Sequence, residues 1–444
     1  MEERIKRLLD EKNYKILKAE LSEMNSSDIA EILSEFTTKE IVTLFRLLKK
    51  DVAVDVFGLF DTTISKDVLN YLSDKEAVQL IEEMASDDAT DVLEEMPASI
   101  VNKILKKCSE ETRKDINKLL NYKDDSAGSI MTVEYAELKS NIRVDTAIKI
   151  LKKKVNEYET IDIVFIVDNH RKLQGFCQIQ DLLFADRDAI ISSLIKPIEH
   201  YATTSMDQEE VANIFKKYDA TIIPVVDSEK RLVGIITIDD IVDVLEEEAT
   251  EDMKKMAAII PVDKPYDKVT IFETFKSRIP WLLLLMVSAT FTGKIIQSFE
   301  DKLAACAILT AFIPMIMDTG GNAGGQASVS IIRALSLNEV EFKDIFKVSW
   351  KELRVSICCA LALAVCNFVK ILLIDKVSIP ISLVVCTTLA ITIIIAKIIG
   401  CTLPMVAKKL GFDPAVMASP FITTIVDACA LIIYFQIATS ILAI

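Results

Sequence analysis

The last third of this chain consists of long apolar segments separated by short charged turns. Each segment reaches the roughly 20 residues that a helix needs to cross a bilayer. The segments lie near 279–298, 303–334, 354–374, 379–407 and 415–443. Lys and Arg are denser in the turns at 333–354 and 408–409 than in the alternate turns, which places these two turns in the cytoplasm. The sequence therefore predicts five membrane helices over 276–444, with the C-terminus outside.

The first 275 residues have a different composition. They hold 56 acidic and 37 basic residues, a net charge of −19, whereas the remainder is slightly basic. Nucleic-acid binding needs a clustered basic surface, so this balance argues against a nucleic-acid partner and favours cations. The N-terminus shows no apolar run after its first charges, so a cleaved signal peptide is not expected and this half is predicted to be cytoplasmic.

Catalytic and zinc-binding signatures are not found in the chain. The nine cysteines include no C-x-x-C pair, and the two histidines, His170 and His200, have no triad partner nearby in the sequence. We therefore predict no zinc site, no disulfide framework and no enzymatic activity.

Residues 1–127 carry apolar positions at helical spacing in short bursts, many of them preceded by Ser, Thr or Asp as N-caps. Short repeated helices of this kind stack into a superhelix. Asp87 and Asp91 lie one helical turn apart, a spacing that presents two carboxylates to a hard cation. An N-cap followed by a solvated helix face is the alternative interpretation of these two residues.

A tandem repeat follows over 128–246. Residues 161–185 and 220–244 align without a gap at an offset of 59. Each copy is predicted as strand, turn, strand and helix, with a further helix before it at 145–155 or 207–217.

The repeat resembles a pair of CBS domains. Gly234-Ile-Ile-Thr237-Ile-Asp239-Asp240 has the family's form, in which a hydroxyl and a carboxylate hold an adenosine ribose. In the first copy Gln178 replaces the hydroxyl, so a purely structural role of the module stays open. The candidate nucleotide residues are Thr237, Asp240, Arg187 and Asp188.

Asp427 is a lone carboxylate within the last apolar segment. An acid near the bilayer centre costs at least ~2.5 kcal/mol, so such a residue usually faces a water-filled path or a partner. Helical spacing predicts that its face of the helix lines a pore. That face also carries Ser419, Thr423, Ala430 and Tyr434. The alternative is a structural acid paired with Lys397, although Lys397 is also placed to snorkel toward the cytoplasm.

The second apolar segment contains Pro314 and then Gly320-Gly-Asn-Ala-Gly-Gly-Gln326. Proline and four glycines loosen a helix, so we predict a break whose freed carbonyls line a cavity. Asn322 and Gln326 add neutral oxygens that suit an ion keeping its water shell. Close packing of helices through small residues is the alternative. The candidate pore residues are Asp318, Asn322, Thr423 and Asp427.

An acidic stretch at 245–256 joins the repeat to the first apolar segment. It is predicted as the start of a connecting helix over 247–275, where acids suit the positive end of the helix dipole. The alternative is an ion-sensing switch, because a divalent ion would neutralise these carboxylates together with those of the repeat. The candidate sensor residues are Asp87, Asp91, Asp207, Glu209, Asp219, Asp239, Asp240, Asp243, Glu248, Glu251 and Asp252.

In its order of parts and its motifs, the chain resembles the MgtE family of magnesium channels along essentially its whole length. The specific motifs are Ala127–Thr132, Pro314 with Gly320–Gln326, Leu410–Ala415 and Pro420-Phe followed by Asp427. The resemblance implies a multidomain membrane protein. Its parts would be an all-α superhelical N domain (1–127), an α+β tandem CBS module (128–246), a connecting plug helix (247–275) and a five-helix transmembrane domain (276–444).

The resemblance also implies a homodimer in the plasma (inner) membrane, where Asp427 of both subunits captures hydrated Mg²⁺ on the two-fold axis. Mg²⁺ bound between the N domain, the CBS domains and the plug helix would hold the pore shut, with Asp413 meeting Glu251 and Asp252 through an ion. ATP is a candidate modulator. Two other functions stay open, a coupled secondary transporter of divalent cations and a membrane ion or nucleotide sensor that conducts nothing.

Overall fold

The computed structural model describes residues 1–94, 96–262, 266, 269–300, 304, 306–417 and 419–442. The chain forms two compact units, Met1–Glu246 (unit 1) and Glu247–Ile444 (unit 2). Short helices and two small sheets build unit 1, whereas long helices build unit 2.

The first part of unit 1 is a stack of short helices. Their bounds are α1 Glu2–Asp10, α2 Tyr14–Ser22, α3 Ser26–Ser34, α4 Thr38–Phe45, α5 Lys50–Gly58, α6 Thr62–Tyr71, α7 Asp74–Ile81, α8 Ser86–Glu94, α9 Ala98–Leu105 and α10 Glu110–Leu119. Capping boxes at Thr37 and Ser73 begin α4 and α7. Helices two apart in sequence contact each other, such as α3 with α5 and α4 with α6, and side chains such as Ile29, Phe57 and Ile81 share one core. The predicted superhelix is confirmed.

The second part of unit 1 contains the repeat as two three-stranded sheets. The elements are β1 Tyr135–Lys139, α11 Val144–Lys154, β2 Thr160–Val167, β3 Leu173–Gln178, α12 Ile179–Phe184, β4 Ala202–Thr203, α13 Gln208–Tyr218, β5 Ile222–Val226, β6 Leu232–Thr237 and α14 Ile238–Met256. In each sheet the middle strand pairs in parallel with the first strand and antiparallel with the third. The pair Val167–Leu173 recurs as Val226–Leu232, so the predicted order of elements is confirmed in both copies.

Helix α14 begins earlier than predicted. The acids at 245–252 lie in its middle, and its first-turn acids are Asp239 and Asp240, so the predicted helix start was wrong. The reason is that no glycine or proline separates β6 from the acidic stretch. The helix ends at Met256 and therefore does not continue to 275. Residues 263–265, 267 and 268 of the predicted plug helix lie outside the described residues.

Unit 2 contains five long helices among the described residues. They are α15 Ile271–Ser298, α16 Ile313–Ser336, α17 Ile345–Lys370, α18 Ile379–Lys409 and α19 Ser419–Leu442. Shorter helical turns lie at Val155–Glu157 and Ile191–Ser193 in unit 1, and at Ala307–Phe312, Phe342–Asp344, Ile371–Asp375 and Pro414–Met417 in unit 2.

Four stretches of unit 2 are long and apolar enough to cross a membrane. They are Ile271–Ser298, Phe342–Asp375, Ile379–Lys409 and Pro414–Leu442. Helix α16, in the predicted span 303–334, has 24 residues and a length of about 36 Å, but its glycines and polar side chains make it less apolar than these four. Four predicted spans thus agree with the structure. The crossing by α16 stays a prediction, and residues 301–303 and 305 near its predicted start are outside the described part.

The glycine-rich stretch of α16 is helical throughout. Pro314 lies in the first turn and the helix continues to Ser336, so the predicted break was wrong. A Cβ added to Gly320 would lie 2.6 Å from Thr392 Cγ2, and one added to Gly324 would lie 2.7 Å from Ile422 Cγ2. Close contacts with α18 and α19 therefore stabilise a helix that glycine alone disfavours.

Candidate cation-binding sites

Carboxylates from distant parts of unit 1 lie near one another and form what we term the acidic cluster. Its members are Asp87 and Asp88 on α8, Glu134 before β1, Glu159 before β2, and Asp239, Asp240 and Asp243 on α14. Two hydrogen bonds position Glu134. Ser86 Oγ donates to Glu134 Oε1 at 2.6 Å, and the Glu159 amide donates to the Glu134 carbonyl at 2.8 Å. The fold thereby joins α8 to the start of both β1 and β2.

Asp87 is an enclosed member of the acidic cluster. Its residue surface is 8% exposed, and its Oδ1 atom has no hydrogen-bond partner among the described residues. Asp240, by contrast, accepts a 2.5 Å hydrogen bond from Thr237 Oγ1. A buried carboxylate oxygen without a partner costs free energy, so a bound cation or an ordered water is expected beside Asp87.

Burial and mutual repulsion make the acidic cluster hard to ionise. Burial raises the pKa of Asp87 well above its usual range, and the charges of Asp240 and Asp88 add to this effect. Burial and neighbouring carboxylates raise the pKa of Glu159 to about 7 and that of Asp240 to about 6. The pKa values of Asp88, Glu134 and Asp243 are also raised, chiefly by burial. Protons or a cation must neutralise these groups for them to remain packed together.

A hard divalent cation suits this set of oxygens. Mg²⁺ prefers oxygen ligands and keeps several waters when carboxylates hold it. Within the part of the chain that the structure describes, no three His, Cys, Asp or Glu side chains are already arranged to hold a metal ion. An ion at the acidic cluster would therefore be held partly through water.

The structure separates the predicted sensor residues of unit 1 into two groups. Asp87, Asp239, Asp240 and Asp243 belong to the acidic cluster. Asp207, by contrast, is the N-cap of α13 and accepts a hydrogen bond from the Glu209 amide at 3.0 Å. Asp219 ends the same helix with a positive φ of 48°, and Asp91 is exposed on α8. A sensor role of Asp91, Asp207, Glu209 and Asp219 stays a prediction.

Three members of the acidic cluster are not identified as sensor residues by any pattern in the sequence. Asp88 lies in the first turn of α8, where an acid is common without any sensor role, and Glu134 and Glu159 are single acids before strands. Their proximity depends on how α8 and the two strands pack, which no local pattern reveals.

The candidate nucleotide residues make contacts within the protein. Thr237 and Asp240 are hydrogen-bonded to each other. Asp188 Oδ1 lies 3.0 Å from Arg143 Nη1, and the Arg187 carbonyl accepts a hydrogen bond from the Asp145 amide at 3.0 Å. Nucleotide binding at these residues stays a prediction.

In unit 2 the last turns of α14 place a lysine between two carboxylates. Lys255 Nζ lies 2.7 Å from Glu251 Oε1 and 2.7 Å from Asp413 Oδ2, in the connection between α18 and α19. Burial opposes the charge of Lys255, but hydrogen bonds to Asp413 and Glu251 raise its pKa overall. Burial and the charge of Asp413 raise the pKa of Asp252. Glu248 lies one turn before Asp252 on the same helix.

Among the long helices of unit 2, Asp427 of α19 is half-buried and interacts electrostatically with Asp318 of α16. Among the described residues, neither carboxylate forms an ion pair with a Lys or Arg. Two interacting acids on helices packed among apolar side chains need water or a cation nearby, because neither charge is stable in a dry apolar environment.

Asp318 and Asn322 line a cavity of about 200 Å³, and the same cavity is lined by Gln326 of α16 and Lys397 of α18. Thr423 packs against α16, since a Cβ added to Gly321 would lie 2.9 Å from Thr423 Cγ2. The four candidate pore residues therefore occupy two helices in close contact.

Three expectations about Asp427 and Lys397 were wrong. Ala430 and Tyr434 are buried, and Tyr434 donates a hydrogen bond to the Leu309 carbonyl at 2.9 Å, so the stripe that carries Asp427 does not line a pore along its whole length. Lys397 neither pairs with Asp427 nor snorkels. It is buried, with its Nζ atom 4.0 Å from Glu352 Oε2.

Three family models match separate parts of the chain. Residues 313–437 match a family described as a divalent cation transporter, residues 24–125 match the MgtE intracellular N domain, and residues 191–247 match the CBS domain. These ranges include α3 to α10, the second repeat with the first half of α14, and α16 to α18 with most of α19.

Individual proteins extend the similarity. The magnesium transporter MgtE of Thermus thermophilus is 36% identical over 331 residues, which cover 74% of this chain and 72% of that protein. The magnesium transporter MgtE of Enterococcus faecalis is 32% identical over 325 residues, which cover 73% and 71%. The crystal structure of the soluble part of a magnesium transporter, 29% identical, covers 56% of this chain and 98% of its own, with a TM-score of 0.52.

Both sequence relatives are named as transporters and neither as an enzyme, in agreement with the prediction that the chain is not an enzyme. The identity extends over more than two thirds of each relative, and the matched family models fall within the helical stack, the second copy of the repeat and the long helices of unit 2. The chain therefore belongs to the MgtE family.

Proposed function

We propose that this protein is a channel that conducts Mg²⁺ across the plasma (inner) membrane and that cytosolic Mg²⁺ closes it. The observation that carries this proposal is the interaction of Asp427 with Asp318 on two closely packed membrane helices. The relatives named as magnesium transporters support the choice of ion. The proposed orientation has the N-terminal domains in the cytoplasm and the C-terminus outside.

The chemistry of Mg²⁺ explains why the proposed conduction pathway needs few charged side chains. The ion loses its waters reluctantly, so a carboxylate attracts it through retained waters without a complete protein cage. Asn322 and Gln326, on the same helix as Asp318, offer neutral oxygens to those waters. We propose a homodimer, in which the Asp427 of a second copy doubles the negative charge on the two-fold axis.

Substitution of Asp427 tests the path. We expect Asp427→Asn to lower the initial rate of Mg²⁺ uptake into proteoliposomes by about tenfold or more, the factor that corresponds to about 1.4 kcal/mol. Glu339→Gln is the matched control, since Glu339 is an exposed acid of the same unit. Equal uptake by Asp427→Asn and the control would refute the proposed path. Uptake that requires a proton or sodium gradient would instead indicate a coupled transporter.

The acidic cluster supports the regulatory part of the proposal. Its carboxylates repel one another, and the Oδ1 atom of Asp87 has no hydrogen-bond partner among the described residues. Cytosolic Mg²⁺ would remove that repulsion and fix α8 beside the start of α14. Because α14 continues without a break to Met256, a change at its first turn reaches its last turn through a rigid element.

Uptake against internal Mg²⁺ concentration tests the sensor. We expect Asp87→Asn to raise the internal Mg²⁺ concentration that half-inhibits uptake by about fivefold or more, because a carboxylate ligand is lost. Asp162→Asn, at an exposed position of β2, is the control. Inhibition curves of Asp87→Asn and the unmodified protein that coincide would contradict the assignment of the acidic cluster. ATP binding at Thr237 and Asp240 is proposed only as a modulation of this response.

A further inference from the structure

The end of α14 contacts the connection between α18 and α19 through a salt bridge. The Lys255 ammonium bridges Glu251, four residues earlier on α14, and Asp413, between α18 and α19. The side chain of Lys255 is 22% exposed, and those of Glu251 and Asp413 are 39% and 34% exposed. The bridge is thus partly shielded from water, which strengthens it relative to an exposed pair.

Apolar packing and backbone geometry fix the same contact. Met256, next to Lys255, packs against Ile332 of α16 and Ala415 of the Pro414–Met417 turn. Asp413 is held in place because its Oδ1 atom accepts a hydrogen bond from the Ala415 amide at 2.8 Å, while its Oδ2 atom faces Lys255. The position of the ammonium is therefore set by groups on both sides of the contact.

The carboxylates around this contact need a cation to offset their mutual repulsion. Asp252 is half-buried beside Asp413, and the cations that act on it are Lys255 and Arg333. Without Lys255, three carboxylates at 251, 252 and 413 would face one another across the contact with one cation fewer. Like charges so arranged repel, so the docked end of α14 would separate unless another cation replaced the ammonium.

We infer that Lys255 is the resident cation of this site and that the end of α14 docks on α16 and the α18–α19 connection without a bound metal ion. A divalent ion would coordinate Glu251 and Asp413 together only after the ammonium has left. The inference deepens the proposed function, since it confines the metal requirement for closure to the acidic cluster and makes the α14–Asp413 contact a built-in closing element.

Hydrogen–deuterium exchange of the full-length protein in detergent tests the inference without measuring transport. The readout is amide exchange over 250–262, compared in EDTA and in millimolar Mg²⁺, with peptides over 160–178 reporting whether unit 1 remains folded. The variants are Lys255→Met, which keeps the length of the side chain without its charge, and Lys255→Arg, which keeps the charge. Lys351→Met is the matched control at an exposed lysine of α17.

We expect the unmodified protein, Lys255→Arg and Lys351→Met to remain protected over 250–262 in EDTA. Lys255→Met should exchange about tenfold faster there in EDTA and regain protection in Mg²⁺, because the ion then replaces the ammonium. Equal protection of Lys255→Met and the unmodified protein in EDTA would overturn the inference. Loss of protection by the unmodified protein in EDTA would overturn it as well, since docking would then need the metal.

Uptake assays on the same variants separate this inference from the proposed function. Exchange that follows the expected pattern while none of the proteins transports Mg²⁺ would refute the proposed function and leave the role of Lys255 standing. Normal Mg²⁺-inhibited uptake together with unchanged exchange in Lys255→Met would refute the role of Lys255 and leave the proposed function standing.

Discussion

Lys397 is a charged residue in the middle of the membrane helix α18, and Glu352 of α17 is its ion-pair partner. The Nζ and Oε2 atoms are 4.0 Å apart, and the two side chains are 8% and 14% exposed. A buried pair adds little stability over apolar residues of similar size, but loss of one partner leaves the other charge buried without compensation. The pair therefore holds α17 and α18 together. Of the two residues, Lys397 lines the cavity beside Asp318.

Substitution at this pair should be strongly non-additive. We expect Lys397→Met alone to destabilise the protein by about 3 kcal/mol, because Glu352 loses its partner, and Lys397→Met with Glu352→Gln to recover most of that loss. Thermal unfolding of the detergent-solubilised protein measures both. Losses that simply add in the double variant would show that the two side chains do not depend on each other.

Single charged residues illustrate what the sequence can and cannot predict. Asp427 is identified from the sequence as a functional candidate because the cost of placing a carboxylate in the bilayer does not depend on tertiary detail. Its neighbour Asp318 and the partner of Lys397 lie on other helices, so no spacing along the chain identifies those contacts. The contact of Lys255 with Asp413 is not predictable from the sequence either, because Lys255 follows an acidic stretch that offers several nearer carboxylates.

At the scale of elements, α16 shows tertiary contacts overriding local propensity. Proline and four glycines predict a break, yet Gly320, Gly321 and Gly324 face α18 or α19 at distances that leave no room for a Cβ. The repeat was predictable for the opposite reason, since the apolar runs of β2 and β5 and the helices that follow them are local patterns that occur twice at an offset of 59. The start of α14 was not, because acids favour both a helix start and an exposed helix interior.

Close approach of two helices makes Gly400 of α18 sensitive to substitution. A Cβ at Gly400 would lie 2.2 Å from the backbone oxygen of Gly324. We expect Gly400→Ala to destabilise the protein by about 2 kcal/mol or more and to displace α16 from α18, with reduced uptake. Gly293→Ala in α15 is the control, because nothing lies within 4 Å of its added Cβ and alanine favours a helix by about 1 kcal/mol. The prediction fails if both variants unfold at the same temperature.

At the scale of the whole molecule, the net charge of −15 is the sum of a strongly acidic first part and a slightly basic second part. The fold concentrates part of the excess in the acidic cluster, whose members come from four separate places along unit 1. Such a site is costly without a counter-ion, so the stability of the protein should be linked to both protons and divalent cations.

The sign of this linkage follows from the raised pKa values. Asp240 at about 6 and Glu159 at about 7 bind protons more tightly in the folded than in the unfolded state, so their stabilising protonation is complete below about pH 4 and is lost as the pH rises through 7. We expect the unfolding temperature of the metal-free full-length protein to fall between about pH 5 and pH 7.5, and Mg²⁺ to raise it more at the upper end, where the carboxylates are ionised. The double variant Glu159→Gln with Asp240→Asn should flatten both dependences, while Asp162→Asn should leave them unchanged. A Mg²⁺ effect that is equal at pH 5 and pH 7.5 would show that protons and Mg²⁺ do not compete for these carboxylates.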